Sequence, residues 1–417
     1  MKVSIRPSHL KGTVRAPASK SMAHRLLIAG ALCRGTSVMK GIEAGDDVEA
    51  TLDCLTRIGA EAVTGEDSTL FIRNNGLHLP ESGIFPLRES GSTFRFLIPV
   101  TLMIGGEARF QGSQRLWERG VRVYEDLFSP KGISMEWISG EEAGDEPVLR
   151  VRGQLEAGSF RLPGGFSSQY ISGLLLALPM LPGDSEIEIV PPVESRPYIE
   201  LTMDVLRRFG VFTEWTDDHT IRIPGGQNYE AVSCTCEGDW SNGAVLLSLR
   251  SLGHSTAVEG LDPHSIQGDR TFLSFEKKLR EESFPELDLR QTPDLGPVLF
   301  ALAAAKNGAV FTGTERLRMK ESDRLSAMAE ELLKFGVEME THEHSVVIYP
   351  SSLHEPKEAL LAHNDHRVVM AEALLATVYG GVIEGAEAVR KSYPGFFDDL
   401  LSLGAEIQTF GSSAKDL

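Results

Sequence analysis

The stretch Leu206-Arg207-Arg208-Phe209-Gly210-Val211 contains the pattern that decides the fold. An apolar helical stripe ends at a glycine and a strand-like run follows, because glycine readily adopts the left-handed backbone that closes a helix. The pattern returns at residues 55–60, 333–337 and 401–405, with a looser copy at 131–133 and a copy without glycine at 275–280. This recurrence predicts a pseudo-repeated α/β protein with six units.

A polar cluster opens each unit, where the first helix of that unit is expected to begin. Ser, Thr, Asp and Asn cap helix N-termini, and the exposed N–H groups there also bind anions. Capping explains each cluster taken alone, but it does not require the Lys and Arg residues that several clusters carry. We therefore predict that the clusters converge on an anion site. They are Ser19-Lys20-Ser21, Ser90-Gly91-Ser92-Thr93, Ser167-Ser168-Gln169, Gly238-Asp239-Trp240-Ser241, Thr292-Pro293-Asp294 and Asn364-Asp365-His366-Arg367.

The segment Lys320-Glu321-Ser322-Asp323-Arg324 indicates what such a site binds. Lys320 and Arg324 are four residues apart, so we expect them on one face of the following helix, where two cations repel unless an anion lies between them. Glu321 is then close enough to move protons on that anion. The alternative is a solvated helix with ordinary surface ion pairs.

Length and repeat number give the domain organisation. A chain of 417 residues with 41% hydrophobic content buries more than one core. We predict an inserted domain, residues 18–237, with units one to three, and a discontinuous domain, residues 1–17 plus 238–417, with units four to six. The first strand, up to about Val14, completes the second domain. The chain crossings near residues 16–18 and 236–238 then form a hinge.

Composition excludes several classes of function. The net charge of −18 argues against general binding of nucleic acid or of anionic membranes. Residues 1–7 enter a strand-like alternation instead of a signal peptide, and no apolar run reaches the length of a membrane span. Four cysteines do not make a disulfide framework, and Cys234-Thr235-Cys236 lacks the spacing of a zinc site. We expect a cytoplasmic, reduced monomer without a metal or cofactor.

Six motifs resemble, in order along the chain, those of the 5-enolpyruvylshikimate-3-phosphate (EPSP) synthase family. The resemblance spans nearly the whole chain, and the order and spacing of the motifs make chance agreement very small. It implies a two-domain inside-out α/β barrel with three repeats in each domain, in agreement with the repeat pattern. The motifs are Arg15-Ala16-Pro17-Ala18-Ser19-Lys20-Ser21, Ser167-Ser168-Gln169, Ser195-Arg196-Pro197-Tyr198, Lys320-Glu321-Ser322-Asp323-Arg324, Asn364-Asp365-His366-Arg367 and Lys391-Ser392-Tyr393-Pro394.

The resemblance also implies a reaction. The 5-hydroxyl of shikimate 3-phosphate adds to C2 of phosphoenolpyruvate, C3 is protonated, and the tetrahedral adduct expels phosphate, a step of aromatic amino-acid biosynthesis through chorismate. Two anionic substrates need several cations, one group that accepts the hydroxyl proton and another that delivers a proton to carbon. The motifs contain residues for each of these tasks.

By position in the motifs, the resemblance assigns residues to each substrate and to proton transfer. The phosphoenolpyruvate ligands are Lys20, Gly91, Arg115, Gln169, Arg324, Arg367 and Lys391. The shikimate 3-phosphate ligands are Lys20, Ser21, Arg25, Ser167, Ser168, Gln169, Ser195, Arg196, Tyr198, Asp294, Arg316 and Lys320. The catalytic residues are Lys20, Asp294, Glu321 and Lys320. We expect Asp294, with Lys320 nearby, to accept the hydroxyl proton. Glu321 or Lys20 then handles the C3 proton, and which carboxylate performs which step stays open.

Five residues depart from the family pattern. Ala18 stands where the family has glycine and is expected to stiffen the hinge. Glu89 adds a negative charge where Asn is common, and its role is open. Arg316, often Asn in relatives, is expected to strengthen binding of the sugar-acid phosphate. Gly120 replaces a proline and is expected to make its loop more mobile, and Phe96 replaces a proline near the site.

Two further expectations come from the resemblance. Gly91 predicts sensitivity to the herbicide glyphosate, which resembles phosphoenolpyruvate and in this family needs a glycine beside the site. Phe96 affects this tolerance, because backbone shifts near it alter the site. Since the cleft gathers like charges, we also expect the unliganded protein to be open and the first substrate to draw the domains together.

Two rival functions stay open. UDP-N-acetylglucosamine enolpyruvyl transferase shares the fold and the phosphoenolpyruvate chemistry, but its flexible loop usually carries a reactive cysteine, which residues 112–120 lack. Ser21 also follows Lys20 where that family prefers Asn. A catalytically inactive homologue that senses phosphorylated metabolites needs the cations but not the proton-transfer groups, and this chain retains both.

Overall fold

The structure is a computed structural model that describes residues 1–65, 69–80, 83–138 and 146–411. The chain divides into two units. We call Ala18–Glu237 the inserted unit, and Met1–Pro17 together with Gly238–Leu417 the discontinuous unit.

Helices occur in both units. In the inserted unit they are α1 (Lys20–Leu32), α2 (Asp46–Arg57), α3 (Gly91–Ile104), α4 (Gln114–Glu118), α5 (Arg122–Phe128), α6 (Ser168–Ala177) and α7 (Arg196–Arg208). In the discontinuous unit they are α8 (Trp240–Ser251), α9 (Phe272–Glu281), α10 (Gly296–Ala304), α11 (Arg324–Lys334), α12 (His366–Tyr379) and α13 (Phe396–Ser402).

Short strands alternate with the helices. Those of the discontinuous unit are β1 (Lys2–Arg6), β2 (Lys11–Arg15), β15 (Ser255–Glu259), β16 (Glu286–Asp288), β17 (Ala309–Thr312), β18 (Met339–Thr341), β19 (Ser345–Ile348), β20 (Leu360–Leu361), β21 (Gly381–Glu384) and β22 (Glu406–Phe410). Those of the inserted unit are β3 (Thr36–Lys40), β4 (Ala60–Thr64), β5 (Leu70–Asn74), β6 (Ile84–Arg88), β7 (Gly106–Gly112), β8 (Ser134–Ile138), β9 (Val148–Gly153), β10 (Ser159–Pro163), β11 (Ser185–Val190), β12 (Glu214–Trp215), β13 (Thr220–Ile223) and β14 (Ser233–Thr235).

Within the described residues the strands form six sheets, three in each unit, which confirms the predicted six-unit architecture. Five sheets share one topology, in which a parallel pair is followed by two antiparallel pairings. Their strand orders are β14-β3-β5-β4, β6-β7-β9-β8, β10-β11-β13-β12, β16-β17-β19-β18 and β20-β21-β1-β22. The remaining sheet pairs β2 with β15 in parallel.

The N-terminal segment forms two strands, where the sequence predicted one strand up to about Val14. β1 lies between β21 and β22, with Val3 opposite both Ile383 and Thr409. β2 belongs to a different sheet and pairs with β15. Pro7 follows the last residue of β1, and its fixed φ and missing N–H prevent the strand from continuing. Both strands complete sheets of the discontinuous unit.

Three helices in each unit are buried along nearly their whole length. They are α1, α3 and α6 in the inserted unit and α8, α10 and α12 in the discontinuous unit. All nine residues of α10 are buried, which is typical of a helix that is apolar on every side. Amphipathic helices such as α2, α7 and α11 bury one face. Helices inside and sheets outside are the inside-out arrangement that the sequence predicted.

Glycines close the outer helices as the sequence pattern predicted. Gly59, Gly210, Gly336 and Gly404 have φ values of 96°, 77°, 86° and 95°. At Gly59 a Cβ atom would also lie 2.4 Å from the carbonyl oxygen of Gly76, so no other residue fits there. The copy without glycine, α9, ends in the extended residue Glu282 instead. Among the described residues, no helix combines the length and apolar character that a membrane crossing requires.

Candidate active site

The polar clusters lie at the N-termini of the six buried helices. Five clusters contain a residue whose side chain accepts a hydrogen bond from a backbone N–H of the first turn: Ser19, Ser90, Ser167, Asp239 and Asp365. The cluster before α10 differs, because Pro293–Leu295 forms a 3₁₀ turn there and Thr292 makes no capping hydrogen bond through its side chain. Asp294 lies within this turn, and its carboxylate forms ion pairs with Lys320 and Arg324.

Arg324, the first residue of α11, is the centre of a buried ion-pair network, and its side chain is 1% exposed. Its Nη1 lies 2.9 Å from Asp294 Oδ1, and its Nη2 lies 2.8 Å from Glu321 Oε2. Its Nε lies 2.8 Å from Asp365 Oδ2. Burial disfavours the charged guanidinium, but the three carboxylates, Asp365 foremost, outweigh burial and raise the pKa of Arg324. One cation thus holds three carboxylates together.

Asp294 also contacts two further cations. Lys320 Nζ lies 3.1 Å from Asp294 Oδ1, and Arg367 Nη2 lies 3.5 Å from Asp294 Oδ2. Burial opposes ionisation of Asp294, but Lys320, Arg367 and Arg324 together hold its pKa well below the usual range. Burial lowers the pKa of Lys320 from 10.5 to about 8, although Asp294 acts in the opposite direction. Of this pair, Lys320 has the pKa closer to neutral pH.

Lys320 and Arg324 meet for a different reason from the one predicted. Lys320 precedes α11, in an extended conformation after the 3₁₀ turn Glu315–Met319. Asp323 accepts hydrogen bonds from the N–H groups of Leu325 and Ser326, so the helix starts only at Arg324. The expectation of one shared helical face was wrong because this cap lies between the two residues. A carboxylate from a distant segment, Asp294, brings the cations together.

The N-terminus of α12 adds further charged groups to this network. Asp365 accepts a hydrogen bond from Ser322 Oγ at 3.1 Å and from the backbone N–H of Arg367 at 2.9 Å. Burial opposes ionisation of Asp365, but Arg324 outweighs it and lowers the pKa of Asp365 to about 2. Lys391 Nζ donates to the carbonyl oxygen of Asn364 at 2.6 Å. Asn364 has a φ of 53°, a left-handed conformation that is uncommon for a residue other than glycine and that orients this carbonyl.

In the inserted unit, Lys20 at the start of α1 pairs with Asp47 in α2. Lys20 Nζ lies 2.7 Å from Asp47 Oδ2, and the two side chains are 15% and 12% exposed. Sequence analysis missed Asp47. Its first-turn position among acidic residues was visible in the sequence, but no local pattern connects it with a lysine 27 positions earlier.

The N-terminus of α3 lies against two arginines. A Cβ atom on Gly91 would lie 2.7 Å from Arg95 Nη1 and 3.0 Å from Arg119 Nη2, so glycine leaves room that alanine removes. Arg95 Nη1 donates to Gln169 Oε1 at 2.7 Å, and Arg95 Nη2 donates to the carbonyl oxygen of Arg119 at 3.0 Å. Gln169 Nε2 in turn donates to Ser92 Oγ at 2.8 Å. Arg95 thus positions both the glutamine and the loop that carries Arg119.

Arg119 is a candidate ligand that the sequence analysis did not name. The ligand predicted from the sequence is Arg115, which lies in α4 with its Nη1 3.4 Å from Glu118 Oε2 and its side chain 35% exposed. Arg119 follows the same short helix, and its Nη1 donates to the carbonyl oxygen of Glu89 at 3.4 Å. Spacing alone does not tell which end of a five-residue helix faces Gly91. The assignment of Arg115 stays a prediction, and Arg119 joins the candidates.

Arg25 connects α1 with α7. Its Nη1 donates to the carbonyl oxygen of Ser21 at 2.6 Å, and its Nη2 donates to the carbonyl oxygen of Tyr198 at 3.1 Å. Its Nε donates to Thr202 Oγ1 at 2.7 Å, and its guanidinium lies 5.0 Å from the ring centroid of Phe96. In this structure Arg25 therefore positions the backbone of Ser21 and Tyr198, two predicted ligands.

The N-terminus of α7 carries Ser195 and Arg196. Ser195 has a φ of 53° and makes no capping hydrogen bond through its side chain. Arg196 stacks on Trp215 at 4.1 Å from the ring centroid. Its Nε lies 2.9 Å from Glu200 Oε1, and its Nη1 donates to the carbonyl oxygen of Asp218 at 3.1 Å. These contacts fix the guanidinium at the helix end.

The structure thus arranges the predicted residues in local groups. One group in the discontinuous unit unites Asp294, Lys320, Glu321, Arg324 and Arg367. The charge of Arg316 contributes to lowering the pKa of Lys320, which indicates that Arg316 lies near this group. The inserted unit has three groups. Lys20 pairs with Asp47, and Ser21 and Tyr198 contact Arg25. Gly91 and Gln169 lie beside Arg95, and Arg119 is also near Gly91.

One cluster among the described residues has ligand types that suit a metal ion. Glu330, Glu331 and His363 place ligand atoms within 4.8 Å of one another. However, Lys334 Nζ lies 2.9 Å from both carboxylate oxygens of Glu331. His363 Nε2 lies 2.9 Å from Glu331 Oε1. The lysine already supplies the positive charge that Glu331 needs, so we assign no metal to this cluster.

Known proteins resemble this chain over almost its whole length. The sequence model of the family described as EPSP synthase (3-phosphoshikimate 1-carboxyvinyltransferase) matches residues 5–400. A 3-phosphoshikimate 1-carboxyvinyltransferase of Clostridium kluyveri is 39% identical over 97% of this chain and 98% of its own length. The enzyme of the same name from Brachyspira hyodysenteriae is 32% identical over 98% of this chain and 100% of its own length.

Solved structures share the fold. EPSP synthase from Acinetobacter baumannii has a TM-score of 0.78 at 23% identity and covers 98% of this chain and 100% of its own. The enolpyruvyl transferase NikO from Streptomyces tendae has a TM-score of 0.76 at 17% identity and covers 98% of both chains. The two solved structures show that the fold is shared, and the family model and the sequence relatives show the family. The chain belongs to the EPSP synthase (3-phosphoshikimate 1-carboxyvinyltransferase) family, whose members transfer an enolpyruvyl group.

Proposed function

We propose that this chain transfers the enolpyruvyl group of phosphoenolpyruvate to the 5-hydroxyl of shikimate 3-phosphate and releases phosphate. The observation that carries the proposal is the cluster of Asp294, Lys320 and Glu321, each partly exposed, around the buried Arg324. It combines cations for anionic substrates with groups that accept and donate protons. A protein that only binds phosphorylated metabolites needs the first property and not the second.

The Asp294–Lys320 pair accepts the proton of the 5-hydroxyl. The low pKa of Asp294 makes its carboxylate a weak base but a constant hydrogen-bond acceptor that orients the hydroxyl. Lys320, with a pKa of about 8, holds the proton once it is transferred. The proton therefore ends on Lys320, whose pKa is closer to neutral pH than that of Asp294.

Protonation of C3 is assigned to Glu321 or Lys20. Glu321 is held by Arg324 at 2.8 Å, and Lys20 by Asp47 at 2.7 Å. Each group therefore has a fixed partner of opposite charge that orients it. The assignment between these two groups stays open in the proposal.

Arginine and lysine side chains bind the anionic groups of both substrates. Arg324, Arg367 and Lys391 lie in the discontinuous unit, and guanidinium groups bind phosphate and carboxylate oxygens through paired donors. Ligands from the inserted unit are Lys20, Gly91, Arg115 and Gln169 for phosphoenolpyruvate, with Arg119 as an additional candidate. Those for shikimate 3-phosphate are Lys20, Ser21, Arg25, Ser167, Ser168, Gln169, Ser195, Arg196 and Tyr198, and Arg25 also positions the backbone of Ser21 and Tyr198.

The test of the proposal compares acceptors. Purified protein is incubated with phosphoenolpyruvate and either shikimate 3-phosphate or UDP-N-acetylglucosamine, and products are identified by phosphorus NMR and mass spectrometry. We expect an enolpyruvyl ether and inorganic phosphate with the shikimate acceptor and no product with the nucleotide sugar. Product with the nucleotide sugar would contradict the acceptor assignment. Binding of both shikimate 3-phosphate and phosphoenolpyruvate without any product would contradict the catalytic assignment.

A further inference from the structure

Two polar pairs join α1 to α2, one helical turn apart. Lys20 and His24 are four residues apart on α1, and Asp47 and Thr51 are four residues apart on α2, so each pair of positions shares a helix face. Lys20 Nζ lies 2.7 Å from Asp47 Oδ2, and His24 Nδ1 lies 2.7 Å from Thr51 Oγ1. The hydrogen bond between His24 and Thr51 therefore fixes the position of α1 along α2, one helical turn from the Lys20–Asp47 ion pair.

The His24–Thr51 pair continues as a buried chain of hydroxyls to the start of α3. Thr51 Oγ1 lies 2.6 Å from Thr93 Oγ1, and Thr93 Oγ1 donates to Ser90 Oγ at 2.7 Å. His24, Thr51, Thr93 and Ser90 are all 0% exposed. Ser90 is the cap of α3, immediately before Gly91. The chain thus connects the helix that carries Lys20 with the helix N-terminus at Gly91.

Hydroxyl stoichiometry gives this chain a direction. Each threonine hydroxyl has one proton, and Thr93 gives its proton to Ser90, so Thr93 accepts from Thr51. Thr51 has then used its proton and accepts from His24 Nδ1. Contacts from both threonine hydroxyls to the carbonyl oxygen of Asp47 are longer, at 3.4 Å, and are secondary. The direction runs from His24 to Ser90.

The imidazole can take only one role in this chain. Burial lowers the pKa of His24 to about 3, so the ring is neutral at physiological pH and carries one N–H. That N–H belongs on Nδ1, which leaves Nε2 as a bare nitrogen. Nε2 is buried and makes no hydrogen bond, and the ring packs edge-on against Phe96 with centroids 6.5 Å apart. A bare nitrogen in an apolar place costs less than a buried N–H donor without an acceptor.

We propose that Thr51, together with His24 and Thr93, is a positioning residue for Lys20. The hydroxyl chain sets α2 against α1 and α3 so that the Asp47 carboxylate meets the Lys20 ammonium, which binds phosphoenolpyruvate. The assignment of Lys20 to that substrate rests on the proposed function. The position of the Lys20–Asp47 pair can be measured whether or not the protein turns over substrate.

Three variants separate the hydroxyl from packing. Thr51→Val keeps the shape and removes the hydroxyl, and Thr51→Ser keeps the hydroxyl and removes the methyl group. Thr377→Val is the matched control, because Thr377 is another fully buried threonine, with its Oγ1 2.9 Å from His254 Nε2, in the discontinuous unit. We expect Thr51→Val to lower kcat/KM for phosphoenolpyruvate about tenfold, the equivalent of one hydrogen bond, with Thr51→Ser within about twofold of the parent. Equal losses in Thr51→Val and Thr377→Val, or a larger loss in Thr51→Ser, would overturn the inference.

Two measurements keep the test independent of catalysis. The first is the rate at which acetic anhydride acylates Lys20, followed by mass spectrometry. A loosened Lys20–Asp47 pair makes the amine more reactive, so we expect faster acylation in Thr51→Val than in Thr51→Ser or Thr377→Val. The second is nitrogen NMR of His24 in the unaltered protein, where we expect the proton on Nδ1. A proton on Nε2, or equal acylation in all variants, would overturn the inference, whereas absence of turnover in the unaltered protein would contradict only the proposed function.

Discussion

The two units hold their candidate residues by different physical means. In the discontinuous unit a single guanidinium, that of Arg324, lies among three carboxylates in a buried ionic network. In the inserted unit the described contacts of these residues include hydroxyls and backbone carbonyls, together with the ion pair of Lys20 and Asp47. Buried ions are costly to leave unpaired, whereas neutral hydrogen bonds mainly fix positions. We therefore expect substitutions in the ionic network to reduce both stability and turnover, and substitutions of ligands in the inserted unit other than Lys20 to affect mainly substrate binding.

The largest effect is expected for Arg324→Met. The substitution leaves Asp294, Glu321 and Asp365 without their shared cation, so it should lower the free energy of unfolding by about 3 to 5 kcal/mol and abolish measurable turnover. Urea unfolding and a phosphate-release assay measure the two quantities. The control is Arg280→Met, which removes an exposed arginine that is paired with Glu276 on α9. That variant should lose less than about 1 kcal/mol, and a similar loss in both variants would contradict the special role of the buried network.

The second prediction concerns proton transfer. Asp294→Asn keeps the shape of the side chain and removes its charge, so kcat should fall by about 10² to 10⁴. Binding of shikimate 3-phosphate, measured by calorimetry, should change much less than kcat. A variant that loses binding and keeps kcat would show that Asp294 is only a ligand.

A pair of variants tests the choice between the two arginines near α4. Arg119→Met should raise KM for phosphoenolpyruvate about a hundredfold, because a charged donor near the substrate is lost. Arg115→Met removes a partly exposed cation that is paired with Glu118 and should change KM less than about threefold. Steady-state kinetics decide between them, and the reverse order would restore Arg115 as the ligand.

Gly91→Ala should produce a smaller change of the same kind. The added methyl group meets the guanidinium tips of Arg95 and Arg119, which are flexible enough to move. We expect KM for phosphoenolpyruvate to rise about tenfold, because a displaced guanidinium loses one contact with the substrate. Inhibition by glyphosate should weaken by more than that factor if this herbicide competes with phosphoenolpyruvate. An unchanged inhibition constant in the variant, or no competition in the parent protein, would contradict the placement of both ligands beside Gly91.

The smallest expected effect is the pH dependence of the rate. Burial lowers the pKa of Lys320 to about 8, so the amine is mostly protonated at pH 7 and half neutral at pH 8. Because the neutral amine accepts the proton, kcat should rise about fivefold over this interval and then level off. The variant Lys320→Arg keeps the charge but should lack this rise. A rate that falls as the pH passes 8 would show that the charged amine is the active form.

Local signals in the sequence predicted much of the fold. Helix starts at Ser19, Ser90 and Ser167 and the helix end at Gly210 depend on capping contacts within a few residues, and the structure has them at those positions. The six units follow from repetition of these local signals. The N-terminal segment was the exception, because Pro7 divides it into two strands that join different sheets.

Contacts between distant segments could not be predicted in the same way. The pairing of Lys20 with Asp47 and the meeting of Lys320 with Arg324 at Asp294 depend on how helices and turns pack. Arg119 was missed because one arginine lies in the short helix α4 and the other directly follows it, and spacing does not distinguish them. The resemblance to the family predicted which residues belong to the site. The structure shows which other residues they contact.

The central claim is that the buried network in the discontinuous unit performs chemistry and does not merely bind anions. The most direct test measures phosphate release from phosphoenolpyruvate and shikimate 3-phosphate by the parent protein and by Asp294→Ala, with calorimetric binding of shikimate 3-phosphate on the same samples. We predict rapid release by the parent protein and none by the variant, with binding retained in both. Release by the variant at the parental rate, or binding without release by the parent, would contradict the account.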